Sequence, residues 1–231
     1  MRNIVIATIK SWNIRNAEKL KNACENRFDI TIITNKEDFS HERLKAINPA
    51  YIFFPHWSWL ISEEIYNNFE CIVFHMTDLP YGRGGSPLQN LIANKICDTK
   101  ISAIRVESGI DTGKIYLKEP LYIGSGSAEE IFIRASEIIF SKMIPYILEH
   151  KPVPVEQTGQ ETSFKRRTQD QSNIEKANIE NIDDMHDFIR MLDAEGYPRA
   201  YIKTGNLKIL FSEAHKKNDK LIGRVEIIEE Q

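Results

Sequence analysis

Four short apolar runs lie along the first third of the chain: Asn3 to Ala7 (NIVIA), Asp29 to Thr34 (DITIIT), Tyr51 to Phe54 (YIFF) and Cys71 to His75 (CIVFH). Runs that are apolar throughout, without polar alternation, mark strands buried on both faces, as happens where helices cover a parallel sheet. Segments of helical composition separate them, at Arg15 to Glu25, Ser40 to Ile47 and Glu63 to Phe69. Strands and helices alternating at this spacing predict βαβ units. The expected fold class is α/β, with a Rossmann-like, mostly parallel sheet flanked by helices.

Two further strands, Ile101 to Glu107 and Lys114 to Leu121, are joined by the turn Ser108-Gly109-Ile110-Asp111-Thr112-Gly113. A long helix then opens at Ser127. Ser127 and Glu130 have the S-x-x-E spacing of a capping box ahead of Ile131, Ile138, Ile139, Met143 and Ile147. Pro152, Pro154 and Gly159 end that periodicity. The expected organisation is a main domain over 1–150, a linker over 151–162 and a small α+β C-terminal subdomain over 163–231. The last holds a helix near Asp183 to Leu192 and strands at Ala200 to Lys203, Leu207 to Ser212 and Arg224 to Ile228, with Thr204-Gly205-Asn206 as a hairpin turn.

Charge narrows the function classes. Thirty Lys and Arg face thirty-three Asp and Glu, a net charge of −3. Neither the first 150 residues, with 17 basic and 18 acidic side chains, nor the remainder, with 13 and 15, forms a basic arm, so no nucleic-acid partner is expected. No uncharged apolar run approaches the roughly 18 residues that cross a bilayer. Met1 to Ile9 is too short for a secretory leader, so the expectation is a cytoplasmic protein with no membrane partner. Cys24, Cys71 and Cys97 are odd in number and lack C-x-x-C spacing, which argues against disulfides and against a thiolate metal site. The first strand runs into Thr8-Ile9-Lys10-Ser11-Trp12-Asn13 rather than a glycine-rich loop, so the sheet need bind neither NAD nor ATP.

Chemistry concentrates between Phe74 and Pro87, FHMTDLPYGRGGSP. His75 ends a buried strand and precedes a loop with three glycines and two prolines, at the carboxyl edge where open α/β sheets place their sites. Thirty-six residues later, GIDTG holds Asp111 between two glycines. Taken singly, such a His caps a strand and such an Asp makes an Asx turn. Together they resemble the folate-dependent formyltransferases, in which a loop of the type N-x-H-P-S-L-L-P-x-x-R-G-x-x-P is followed by D-T-G. His75, Leu79, Pro80, Arg83, Gly84, Pro87, Asp111, Thr112 and Gly113 fall in register with that pattern. The segment PHWSWLISEEIY stands where the family's folate-side segment does. SFKRRTQDQSNI, DFIRML and YPRAYIKTGNLKI are similar to the start of the tail of the methionyl-tRNA formyltransferases.

The resemblance implies the formyltransferase fold and transfer of a formyl group from N10-formyltetrahydrofolate, as co-substrate, to an amine. It implies His75 as proton carrier and Asp111 as its partner. Histidine is the side chain whose titration lies nearest neutrality, and a carboxylate beside it favours the imidazolium and fixes the ring. The family's Asn two residues before the His is Val73 here. Loss of an oxyanion donor costs about 2.7 to 4 kcal/mol, so either His75 stabilises that charge alone or an amide from elsewhere replaces the Asn, with Asn90 and Gln89 as the candidates. For the cofactor the resemblance points to His56, Trp57, Trp59, Arg83, Gly84 and Gly109; for the substrate, to Lys10, Trp12, Asn13 and Gly85. Lys165-Arg166-Arg167 reads as a solvated charge run.

The family acts on initiator tRNA, on glycinamide ribonucleotide or on nucleotide-linked amino sugars. The near-neutral charge and short tail argue against the first, and the missing phosphate loop against the second. The expected acceptor is a UDP-linked 4-amino-4,6-dideoxy sugar, because IATIKSWN with FHMTDLPYGRGGSPLQNLI is similar to the small formyltransferases of pseudaminic-acid-type pathways. A sugar nucleotide and a folate are the expected partners, and a homodimer is compatible with the sequence. Two alternatives stay open: a hydrolase that releases formate from formyltetrahydrofolate and, because of Val73, a non-catalytic folate or nucleotide binder.

Overall fold

The computed structural model describes residues 2–230. Strands β1 (Arg2–Ala7), β2 (Phe28–Ile33), β3 (Tyr51–Phe54) and β4 (Cys71–His75) run parallel, and helices α1 (Ser11–Cys24), α2 (His41–Ile47) and α3 (Glu63–Tyr66) make the crossovers. A two-residue strand, β5 (Arg83–Gly84), and helix α4 (Pro87–Ala93) follow β4. Strand β6 (Asp98–Arg105) then returns antiparallel to β4, with Ser102 opposite His75, and β7 (Ile115–Tyr122) completes a sheet of order β2-β1-β3-β4-β6-β7. The fold class is the expected one. Ile4, Val5, Ile6, Ala7, Ile52 and Phe53 are wholly buried, and each large side chain among them contributes about 1.5 to 3 kcal/mol through burial. That is why these runs carry no polar alternation.

Two local expectations are corrected. Helix α1 opens at Ser11, four residues before the expected start, although its N-cap Lys10 makes no side-chain cap hydrogen bond. Burial of Trp12, Ala17, Leu20 and Cys24 on one stripe holds it instead. The long helix after Ser127 is not uniform: α5 (Ala128–Ile138) passes through a π turn at Ile139–Met143 into α6 (Ile144–His150). Pro145 has no N–H to give the preceding turn, and the wider π turn sits directly ahead of it. The capping box is formed as expected, with Ser127 N–H donating to Glu130 Oε2 (2.8 Å) and Glu130 N–H donating to Ser127 Oγ (3.2 Å).

Strand β8 (Ser163–Phe164) pairs with β5, and beyond it lie α7 (Ile182–Arg190) and an antiparallel sheet of β9 (Ala200–Thr204), β10 (Leu207–Lys217) and β11 (Lys220–Glu229). The β9–β10 hairpin turns at Gly205, where φ is +59°. Asn181 caps α7 by accepting from Asp184 N–H at 2.9 Å.

By contact the chain forms two compact units. One comprises the chain up to Arg83 with Lys100–Leu121 and Ile133–Ser163; the other comprises Gly84–Thr99, Tyr122–Phe132 and the chain from Phe164 onward. Among the described residues no helix is long and apolar enough to cross a membrane.

Candidate active site

The first unit carries the loops at the carboxyl ends of its parallel strands. His75, the last residue of β4, is only 8% exposed. Its Nε2 lies 2.7 Å from the Gly82 carbonyl and its Nδ1 lies 3.4 Å from Asp111 Oδ2. Both neighbours are acceptors. The loop between His75 and Gly82 is tied to β6. Ser102 Oγ donates to Thr77 O (2.7 Å) and accepts from Leu79 N–H (3.4 Å), while Thr77 Oγ1 donates to Gly82 O (3.3 Å). The loop's own carboxylate, Asp78, points to other partners. Burial pushes its pKa up, but the Lys118 and Lys100 ammoniums outweigh that and hold it below the ordinary value.

Asp111 sits at φ +54°, a left-handed conformation uncommon for a residue with a Cβ, and Gly109 two residues earlier has φ +100°. Thr112 Oγ1 donates to Ser108 O at 2.9 Å and closes the turn. Gly113 is required sterically, because a Cβ there would lie 1.8 Å from the Arg105 carbonyl oxygen. Gln157, a residue the sequence did not single out, spans this turn. Its Nε2 donates to the carbonyls of Asp111 and Gly113, both at 2.8 Å. Its Oε1 accepts from Arg83 Nε (3.1 Å) and Nη2 (2.8 Å).

The segment after β3 lies beside the His75 loop, on the neighbouring strand. His56 has φ +57°, and its ring meets Trp12 edge-on with centroids 6.0 Å apart. Burial, helped by the Lys10 ammonium, lowers the His56 pKa to about 4. The ring is therefore neutral at physiological pH. Trp57 packs on Phe39, Phe54 and Trp59, and its buried Nε1 has no hydrogen-bond partner among the described residues. Trp59 is 37% exposed.

Several expected roles are corrected. Trp12 and Asn13 are buried in the first turn of α1 rather than held in a loop, and Asn13 Nδ2 donates to Pro55 O at 3.3 Å, where Thr8 Oγ1 also donates at 2.6 Å. They brace the sheet edge. Lys10 lies 5.8 Å from the Trp12 ring centroid. The Arg83 guanidinium bonds to Gln157 and pairs with Glu161 at 2.9 Å, which braces the loop. In the second unit, a Cβ on Gly84 would stand 2.4 Å from Phe164 O and one on Gly85 2.5 Å from Arg166 Cα, so close backbone approach requires glycine at both. Asn90 is not a free oxyanion donor. Its Nδ2 bonds to the carbonyls of Gly85 (3.0 Å), Ser86 (2.9 Å) and Lys165 (3.3 Å). Gln89, likewise buried, donates to Met191 O at 3.1 Å. Val73 packs against Leu79, Ile104 and Ile115. Among the described residues no group of His, Cys, Asp and Glu side chains could hold a metal ion.

Comparison with known proteins bears on the chemistry of this edge. Residues 169–228 match the family model for the C-terminal domain of methionyl-tRNA formyltransferase. The methionyl-tRNA formyltransferase of Clostridium botulinum is 26% identical over 194 residues, 78% of this chain and 62% of that protein. That of Campylobacter lari is 29% identical over 133 residues, 56% of this chain and 44% of that one. The chain thus spans less than two thirds of these relatives. Among solved structures, a methionyl-tRNA formyltransferase from Clostridium thermocellum shares 57% of its sequence with a TM-score of 0.96, over 99% of this chain and 100% of that one. A sugar N-formyltransferase from a Shewanella species is 14% identical, with a TM-score of 0.69 over 97% and 96% of the two chains, a likeness of fold alone.

These findings overturn the amino-sugar acceptor, the pseudaminic-acid-type pathway and the exclusion of a nucleic-acid partner. The relatives of substantial identity bear the tRNA name, and the sugar enzymes share only the fold. The physical error lies in the use of net charge. A sum over the whole chain says nothing of how charge is distributed over the surface. Nor does the tail argue against tRNA, since it is the part that matches the tRNA enzymes' C-terminal model.

Proposed function

The chain belongs to the folate-dependent formyltransferase family, and from that premise we propose that it transfers a formyl group from N10-formyltetrahydrofolate to the α-amine of methionyl-tRNA. The observation that carries the reading is the His75–Asp111 pair at the carboxyl edge of the sheet, Nδ1 to Oδ2 at 3.4 Å. The acceptor is inferred from the 57% identity to a methionyl-tRNA formyltransferase.

When bound, the folate supplies the formyl carbon. The residues present fit a flat heteroaromatic ligand. Trp57 has a buried indole N–H without a partner, Trp59 offers an accessible aromatic edge, and neutral His56 can donate or accept. These three would hold it. His75, anchored through Nε2 on Gly82 O, has Nδ1 as its working nitrogen, and the long 3.4 Å approach to Asp111 leaves that position shareable with the oxygen where negative charge develops. Asp111 orients the ring, and the pair takes up the proton the attacking amine loses, for return to the departing nitrogen. With Val73 packed against apolar side chains and Asn90 committed to backbone, His75 carries the oxyanion itself.

The test is formation of formyl-methionyl-tRNA by the purified protein from methionyl-tRNA and N10-formyltetrahydrofolate, followed by mass spectrometry of the released aminoacyl group. Amine-dependent turnover is expected. Release of formate with no formyl-methionine would refute the proposal.

A further inference from the structure

We infer that Gln157 is a positioning residue that holds the Asp111 turn, and through it the carboxylate that faces His75. The inference rests on the formyl-transfer reading above. Asp111 adopts a left-handed conformation that L side chains rarely take, and such a conformation persists only where its surroundings over-determine it. Within the turn Thr112 Oγ1 donates to Ser108 O, a bond that brackets Asp111. The Gln157 amide adds two bonds to the turn's backbone. Its two N–H groups straddle Thr112, one on Asp111 O and one on Gly113 O.

The orientation of this amide is determined by its neighbours. With oxygen and nitrogen exchanged, an NH2 group would face the Arg83 guanidinium and an oxygen would face two carbonyl oxygens, which satisfies none of the four bonds. The segment itself is fixed to the start of β7, where Ile115 and Val155 exchange both backbone bonds at 2.7 and 2.9 Å. On the other side Arg83 follows directly after Gly82, whose carbonyl holds His75 Nε2, and Gly82 N–H is held in turn by Thr162 Oγ1 at 2.7 Å. One side chain thus ties the loop that anchors the imidazole to the turn that carries its carboxylate. An error of about 1 Å in such a pair costs up to a hundredfold in rate.

The two halves of the amide separate experimentally. Gln157→Glu keeps an acceptor for Arg83 but loses both donors and sets a negative charge against the two carbonyls; Gln157→Ala loses everything. Both variants are expected to lower kcat for formyl transfer by about 10- to 100-fold, with KM for each substrate within about twofold, and to speed amide hydrogen exchange over Ile110–Lys114 while leaving β1 and β3 unchanged. Added to Asp111→Asn, Gln157→Ala is expected to cause no further loss, because it acts through that carboxylate. Wild-type kcat and exchange in Gln157→Glu would overturn the inference and reduce Gln157 to a brace for Arg83, as would additive losses in the double variant. Should the wild-type protein form no formyl-methionyl-tRNA, the exchange measurement still decides whether Gln157 holds the turn.

Discussion

His56 gives a stability signature whose size follows from its surroundings. Burial and the Lys10 ammonium take its pKa from 6.5 to about 4 in the folded protein. Between those values the unfolded chain binds more protons than the folded one, so stability rises with pH; the contribution is complete above 6.5 and is lost as pH falls toward 4. That displacement corresponds to about 3 kcal/mol in full. Between pH 7 and pH 5 the loss from this one group is about 1.8 kcal/mol, or about 4 to 7 °C in Tm for a chain of this size. The comparison is with His56→Asn, because Asn tolerates the φ of +57° and does not titrate. Urea unfolding of both proteins at pH 7, 6 and 5 cancels every other titrating group. The wild type should be the more stable at pH 7, with the gap narrowing by about 1.8 kcal/mol at pH 5. Parallel curves, with the gap constant to about 0.5 kcal/mol, would refute a buried neutral imidazole.

Gly113→Ala places a Cβ 1.8 Å from Arg105 O and must displace the Asp111 turn; kcat is expected to fall about a hundredfold with far-UV circular dichroism unchanged, and steady-state assays with full activity would contradict the turn geometry. Asn90→Ala removes three bonds to backbone carbonyls and should cost about 1 to 3 kcal/mol in urea unfolding while kcat stays within about twofold; a large kcat loss at constant stability would restore Asn90 to the chemistry. Val73→Asn puts an amide among Leu79, Ile104 and Ile115 and is expected to destabilise by about 1 to 3 kcal/mol, again by urea unfolding; a stability equal to wild type would mean that the amide finds partners there.

The strands and the His75–Asp111 pair were legible in the sequence because each rests on short-range pattern. Buried parallel strands announce themselves by unbroken apolar runs, and the two candidate side chains sit beside glycine-marked loops at strand ends, where the family resemblance picks them out. What was not legible depends on distant partners. Gln157 lies in a proline-rich connection 46 residues from Asp111, and nothing local distinguishes its amide from an exposed one. Trp12 and Asn13 read as loop because Lys10 gives no capping signature, while burial against the sheet edge recruits them into α1. Asn90 resembled a free amide donor because sequence does not reveal that three carbonyls already claim it. The acceptor was misread because overall charge conceals local charge.

The central claim is that His75 and Asp111 perform formyl transfer to methionyl-tRNA. Rapid-quench single-turnover measurement of formyl-methionyl-tRNA formation, with enzyme in excess over N10-formyltetrahydrofolate, reads the chemical step without product release. The account predicts that His75→Ala and Asp111→Asn, each with wild-type unfolding midpoints, slow that step by at least about a hundredfold. A wild-type rate in either variant would contradict it.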